Sequence, residues 1–68
     1  MWLKDKEGNL VNSAFIRDII KSDGRVVAMG ERVNDQWELF VSEEEDPDSV
    51  AATLECDEFL QDLFERLS

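Results

Sequence analysis

The sequence predicts an α+β domain: an antiparallel sheet of about four strands built from hairpins, with one face covered by a C-terminal amphipathic helix. Three observations carry this. Asp23-Gly24 lies between two apolar runs, and both central residues of a type I′ hairpin turn need φ > 0. β-branched and aromatic residues recur through 26–41, as a pleated, half-buried surface requires. Phe59, Leu60, Leu63, Phe64 and Leu67 then recur at helical spacing to the end of the chain.

The elements follow in order. Trp2-Leu3-Lys4 reads as a strand and Asp5 to Asn9 as a turn, where Gly8 and Asn9 tolerate positive φ. Leu10-Val11-Asn12 returns as the second strand of an opening hairpin. Phe15, Ile16, Ile19 and Ile20 are spaced for a helix, with Asn12 or Ser13 as N-cap. The Asp-Gly turn outweighs this, so a strand from about Ile16, entered by a helical turn at 13–15, is expected. Val26 to Val33 forms the next strand, Asn34-Asp35 turns it, and Trp37 to Val41 returns. Strict alternation places Trp37, Leu39 and Val41 on one face and Glu38 with Phe40 on the other. A phenylalanine on that polar face calls for cover by the C-terminal helix or by a partner.

Glu43 to Asp48 is an acidic loop, in which Asp46 and Pro47 suit the N-cap and first position of a helix. Asp48 also favours the positive end of the helix dipole. Val50, Ala51 and Leu54 share a helical face, while the Phe59–Leu67 set lies roughly 155° away at about 100° per residue. A break near Cys56-Asp57, with Asp57 capping a final helix, reconciles the two faces. An added strand through Val50, Ala52, Leu54 and Cys56 is the alternative. The expected organisation is one domain: residues 1–42 mainly β, 43–48 acidic loop, and 49–67 mainly helical with a break near 56.

Composition narrows the function. The 68 residues carry 17 Asp and Glu, 7 Lys and Arg and no His, for a net charge of −10. Such a chain lacks the cations that neutralise phosphates or anionic membranes, so direct nucleic-acid and membrane binding are not expected. A hydrophobic content of 43% also separates it from disordered acidic tails. A single cysteine closes no intrachain disulfide and no signal-type apolar stretch follows Met1, which points to the cytoplasm.

The expected answer to "enzyme" is no. Without histidine Cys56 has no imidazole base, and the flanking Glu55 and Asp57 raise its pKa. No glycine loop for phosphates is present. Asp5 to Asn9 opens like a calcium loop, but Ile16 occupies the twelfth position where a bidentate Glu is needed. No catalytic residue, cofactor or metal is assigned.

The charge is instead segregated. Residues 1–34 hold six bases and five acids, a net +1, whereas residues 35–68 hold twelve acids and Arg66 alone, a net −11. A soluble surface ordinarily mixes both signs, and one-signed charge costs a small domain self-repulsion. The expected partner surface therefore comprises Glu43, Glu44, Glu45, Asp46, Asp48, Glu55, Glu58, Asp62 and Glu65, with Trp37 and Phe40 as apolar anchors. Trp2 and Trp37 also suit the core. On the last helix Asp57, Glu58, Gln61, Asp62 and Glu65 fall opposite the apolar stripe.

Gly8, Val11-Asn12, Ile16, Ile19-Ile20, Val26-Val27 and the acid-led final helix resemble small bacterial β-rich proteins of the FlbD type, associated with flagella. The resemblance covers residues 2–42 and departs at Asn34-Asp35, where that family has a glycine turn, and in the acidic half. It carries no catalytic residues. In size and acidity the chain also resembles phage-encoded inhibitors of the anti-CRISPR and DNA-mimic kind. Two readings stand. One is a non-enzymatic inhibitor or regulator that docks its acidic half on a basic, nucleic-acid-binding protein. The alternative is an assembly module forming a salt-insensitive homodimer through sheet edges or the helix face.

Overall fold

The computed structural model describes residues 1–67. It is an α+β arrangement of two antiparallel sheets and one C-terminal helix, so five short strands stand where about four were expected in one sheet. Strands β1 (Trp2–Lys4) and β2 (Leu10–Asn12) form the opening hairpin. Asp5 Oδ1 closes its turn by accepting from the Glu7 and Asn9 N–H groups at 2.9 and 2.8 Å. The Lys6 N–H then donates to the Glu38 carbonyl at 2.8 Å, tying this hairpin to the larger sheet.

Ser13–Phe15 make the expected helical turn, a single 3-10 turn whose Ala14 N–H donates to Asn12 Oδ1 at 3.1 Å. Strands β3 (Asp18–Ser22), β4 (Arg25–Met29) and β5 (Gln36–Val41) form the second sheet in that order. Asp23 and Gly24 link β3 to β4 with φ of +51° and +71°, the paired positive values of a type I′ turn. Strand β4 stops at Met29 rather than reaching Val33. The chain turns instead through residues 31–34, where the Gly30 N–H donates to the Asp35 carbonyl at 2.8 Å and the Asp35 N–H to the Arg32 carbonyl at 3.0 Å. Asp35 Oδ2 in turn accepts from the Arg32 N–H at 3.2 Å, shaping the loop.

Strand β5 does not alternate simply. Val26 pairs with Phe40 but Val27 pairs with Glu38, so Leu39 is the extra residue of a bulge. The bulge lets Leu39 enter the core while Phe40 faces the helix, where it stacks on Phe59 at 5.1 Å between ring centroids. The helical cover expected for Phe40 is thereby present. Val41, grouped with Leu39 by alternation, is instead exposed.

The helix α1 (Val50–Leu67) is continuous, without the expected break near residue 56 and without the alternative strand. Its buried residues are Ala52, Cys56 and Leu63, a straight stripe completed by half-buried Phe59 and Leu60. Val50 and Leu54, which the wheel placed on a second buried face, lie 76% and 56% exposed. No second face needs burying, so the helix runs straight. Its N-cap is Ser49, whose Oγ accepts from the Ala52 N–H at 3.1 Å, and not Asp46. Asp46 shapes the preceding turn, accepting from the Asp48 N–H at 2.9 Å. Pro47 lies outside the helix against Gly24, where an added Cβ would approach it to 3.1 Å. This contact fixes the acidic loop beside the β3–β4 turn.

The core gathers Leu3, Val26, Ala28, Leu39, Cys56 and Leu63 between sheet and helix, with Trp37 packed against it half-buried. Trp2 is not a core anchor; it lies 64% exposed. Small side chains at the seam let the helix sit close to β4, so enlarging one is costly. Ala28→Leu is expected to lower stability by about 1–3 kcal/mol, whereas Leu54→Gln should stay within about 0.5 kcal/mol of the parent. Urea unfolding of both variants checks the helix orientation, because a helix packed on its Val50–Leu54 face would make Leu54→Gln costly as well.

Candidate functional site

The fold divides the helix into two flanks that differ in chemistry. Along the β5 side run Glu55, Glu58, Phe59 and Asp62, which with Phe40 line a shallow groove of about 310 Å³. The stacked rings of Phe40 and Phe59 belong to it, and three carboxylates rim it. Along the β3 side run Asp57, Leu60, Gln61, Phe64 and Leu67, which with Ile19 and Leu63 line an apolar groove of about 490 Å³. The two grooves share no residue.

Four of the sequence-derived partner residues therefore meet in one place: Phe40, Glu55, Glu58 and Asp62. Phe59, assigned to the apolar stripe from sequence, joins them because its ring reaches out to Phe40. Its neighbourhood in sequence, between Glu58 and Asp62, was the available signal. Glu43, Glu44, Glu45, Asp46 and Asp48 remain exposed on the loop held by Pro47 and Gly24. Glu65 lies on the exposed helix surface, 3.4 Å from the donating Gln61 amide. Trp37 is not part of the groove; it borders clefts lined on one side by Asp5, Lys6 and Asn9 and on the other by Phe15 and Arg32. Asp57 likewise leaves the acidic face and neither caps nor breaks the helix. It pairs with Lys21 of β3 at 2.5 Å, on the apolar flank.

The pattern of ion pairing sharpens this surface. Among the described residues, the four ion pairs engage Lys6, Arg17, Lys21 and Arg25. None of these reaches Glu43, Glu44, Glu45, Asp46, Asp48, Glu55, Glu58 or Asp62. The bases go instead to acids lying against the sheet. Glu38 sits between Lys6 Nζ at 2.6 Å and Arg25 Nη1 at 3.0 Å, with its Oε2 shielded from solvent. Direct contact with the Lys6 ammonium, helped by Arg25, holds the Glu38 carboxyl below the usual carboxylate range although burial opposes it. The same contact raises Lys6.

The surroundings of Cys56 oppose its thiolate. Burial pushes the Cys56 thiol up, with Asp57 and Glu55 adding to the effect and Lys21 opposing it. The side chain is fully buried and faces the core rather than a cleft. Among the described residues no group of three acids or thiols is disposed to hold a metal ion. No described helix is long and apolar enough to cross a membrane.

The Glu38 pairing has a pH signature. Because its folded pKa is depressed, its contribution is complete above the ordinary Glu value of about 4.3 and is lost as pH falls through the lower folded value. Glu38→Gln should therefore lower the urea midpoint at pH 7, and the gap to the parent should close towards pH 3. A gap independent of pH would show that the pair contributes by packing alone. Neither a family model, nor a curated protein, nor a solved structure matches this chain, so its function is read from the two flanks themselves.

Proposed function

We propose that the chain is a non-enzymatic binding protein that docks its acidic β5 flank and loop on a basic protein partner, as an inhibitor or regulator. One observation carries the reading: Glu55, Glu58 and Asp62 surround the exposed edge of the Phe40–Phe59 stack, and no described base neutralises them. Solvated carboxylates alone would be an ordinary solubilising face. Carboxylates around an apolar floor are complementary to Arg and Lys, whose alkyl stems lie on apolar surface while their charged heads meet the carboxylates. Interface energy concentrates at such aromatic centres, with charges around them setting on-rate and specificity.

The loop extends the same field. Pro47 packed on Gly24 fixes where Glu43 to Asp48 project, so their charge is presented from a set position. A protein that grips nucleic acid offers Lys and Arg in a groove shaped for phosphates. The acidic flank and loop are suited to fill such a groove, and in doing so they would exclude nucleic acid. A phage-type nucleic-acid mimic is this proposal in its most specific form.

The test begins with a tagged pull-down from bacterial lysate at low and high salt. The captured protein is then purified and titrated. The reading expects a basic, nucleic-acid-binding protein whose affinity falls steeply with salt and whose DNA or RNA is displaced by this chain. Reversing Glu44, Asp48, Glu58 and Asp62 to Lys should weaken the complex by at least about tenfold at low salt. Binding by that variant as tight as the parent's would sink the idea.

A further inference from the structure

From the free edge of β3 we infer an interface for a second copy of this chain, in a defined register centred on Ile20. The inference does not rest on the basic-partner reading, since it uses the opposite flank of the helix.

Strand β3 pairs with β4 along one edge, and no described strand pairs with the other. Natural edges are usually blunted by proline, a bulge or an outward charge. β3 has no proline, its pairing with β4 is continuous from Asp18 to Ser22, and the bulge of this sheet lies on the far side, in β5. Of its two charged residues, Asp18 at the end of the strand pairs with Arg17, and Lys21 is turned to the helix face and held by Asp57.

The register follows from which backbone groups face outwards. The Ser42 N–H donates to the Gly24 carbonyl, so Gly24 is turned to β5 and Arg25, the next residue, to β3. Ser22 and Arg25 are therefore a hydrogen-bonded pair, as expected beside a two-residue turn. Counting back, Asp18, Ile20 and Ser22 direct their N–H and C=O groups at β4, whereas Ile19 and Lys21 direct theirs at the open edge. A two-fold antiparallel pairing must join residues of the outward set to each other.

Three registers centre on this strand. Placing Ile19 opposite its own copy leaves the outward groups of Lys21 against Arg17, whose N–H is turned back to the Met29 carbonyl at 2.7 Å, and placing Lys21 opposite itself sets two ammonium groups together. The first leaves the outward groups of Lys21 unpaired and the second juxtaposes like charges, which is destabilising across strands. Placing Ile20 opposite Ile20 avoids this. Ile19 and Lys21 of each copy then exchange backbone hydrogen bonds, so that the outward groups of both residues are paired. Ile20, 43% exposed in one chain, meets its counterpart in a close, non-hydrogen-bonded pair. The two-fold axis puts both helices on the same side of the joined sheet. The apolar grooves lined by Ile19, Leu60, Phe64 and Leu67 then open towards each other, with Phe64 (69% exposed) and Leu67 (44%) available to fill them.

Sedimentation equilibrium of the full chain and thiol cross-linking test this. The inference expects a reversible dimer that does not weaken when salt is raised to about 1 M, because apolar and backbone contacts hold it and screening only relieves repulsion. Ile20→Asp should raise the dimer Kd by at least about tenfold, with unchanged circular dichroism. In Ile20→Cys, mild oxidation by oxidised glutathione should link two copies through residue 20, mapped by peptide mass. Ser22→Cys, which faces Asp18 of the second copy, should not link. A monomer of 7.9 kDa at the highest soluble concentration would overturn the inference, as would cross-linking of Ser22→Cys in preference to Ile20→Cys. If Ile20→Asp fails to fold, the cross-linking pair still decides.

Discussion

The tight seam between helix and sheet governs the rest of this molecule. Val26, Ala28 and Cys56 have no exposed surface, and Ala52 is equally buried on the same helical stripe. A chain of 68 residues cannot enclose many large side chains. Small residues at the centre let the helix lie close over β4, and Leu3, Leu39 and Leu63 close the core around them. Once the stripe through Ala52, Cys56 and Leu63 faces the sheet, the rotation of the helix is fixed. Its remaining residues are then sorted into a β5 flank, a β3 flank and an outer surface. The acidic groove and the apolar groove are both consequences of that single rotation.

The same seam explains what the sequence disclosed and what it hid. Local chemistry was legible: Asp23-Gly24 specified its turn, Asn12 or Ser13 the start of a helical turn that Asn12 caps, and Phe40 a need for cover that the helix meets. These depend on residues adjacent in sequence or on one exposed aromatic needing company. The helix phase was not legible, because a wheel weighted by hydrophobicity counts Val50 and Leu54 above Ala52 and Cys56. Close packing selects for size as well as for hydrophobicity, and here it buries the small pair and leaves the larger one outside. The β5 bulge was equally hidden, since one inserted residue leaves no trace in composition and displaces alternation only where the partner strand is known. For the candidate site, Glu55, Glu58, Asp62 and Phe40, named as partner residues from sequence, come to lie around one groove. Trp37 lies apart from that groove, because its neighbours come from the opening hairpin and the 3-10 turn, which no periodicity links to it.

Charge follows burial in a consistent way. Glu38 and Asp57 are the second-half acids that lie against the sheet, and they take Lys6, Arg25 and Lys21 from the first half. A carboxylate shielded from water needs a partner, whereas an exposed one is solvated at little cost. Folding therefore draws the bases to the sheet and leaves the acid excess on the outer helix flank and the loop. The segregation visible in sequence as +1 against −11 becomes, in space, a set of ion pairs along the sheet and an unneutralised surface on the helix flank and loop.

That separation also bears on how one small domain can carry two surfaces. The molecule measures 31 × 26 × 20 Å, and its acidic groove and β3 edge lie on opposite flanks of the helix. A two-fold axis beside β3 would turn both acidic grooves away from it. The unneutralised charges of the two copies would then stand further apart than the Debye length of about 8 Å at physiological salt, where their repulsion is largely screened. Self-association through the apolar flank thus leaves the acidic flank free in both copies, and a basic partner bound there need not displace the second chain. The two uses oppose each other only in salt: screening weakens the hold on a basic partner and relieves the repulsion between copies.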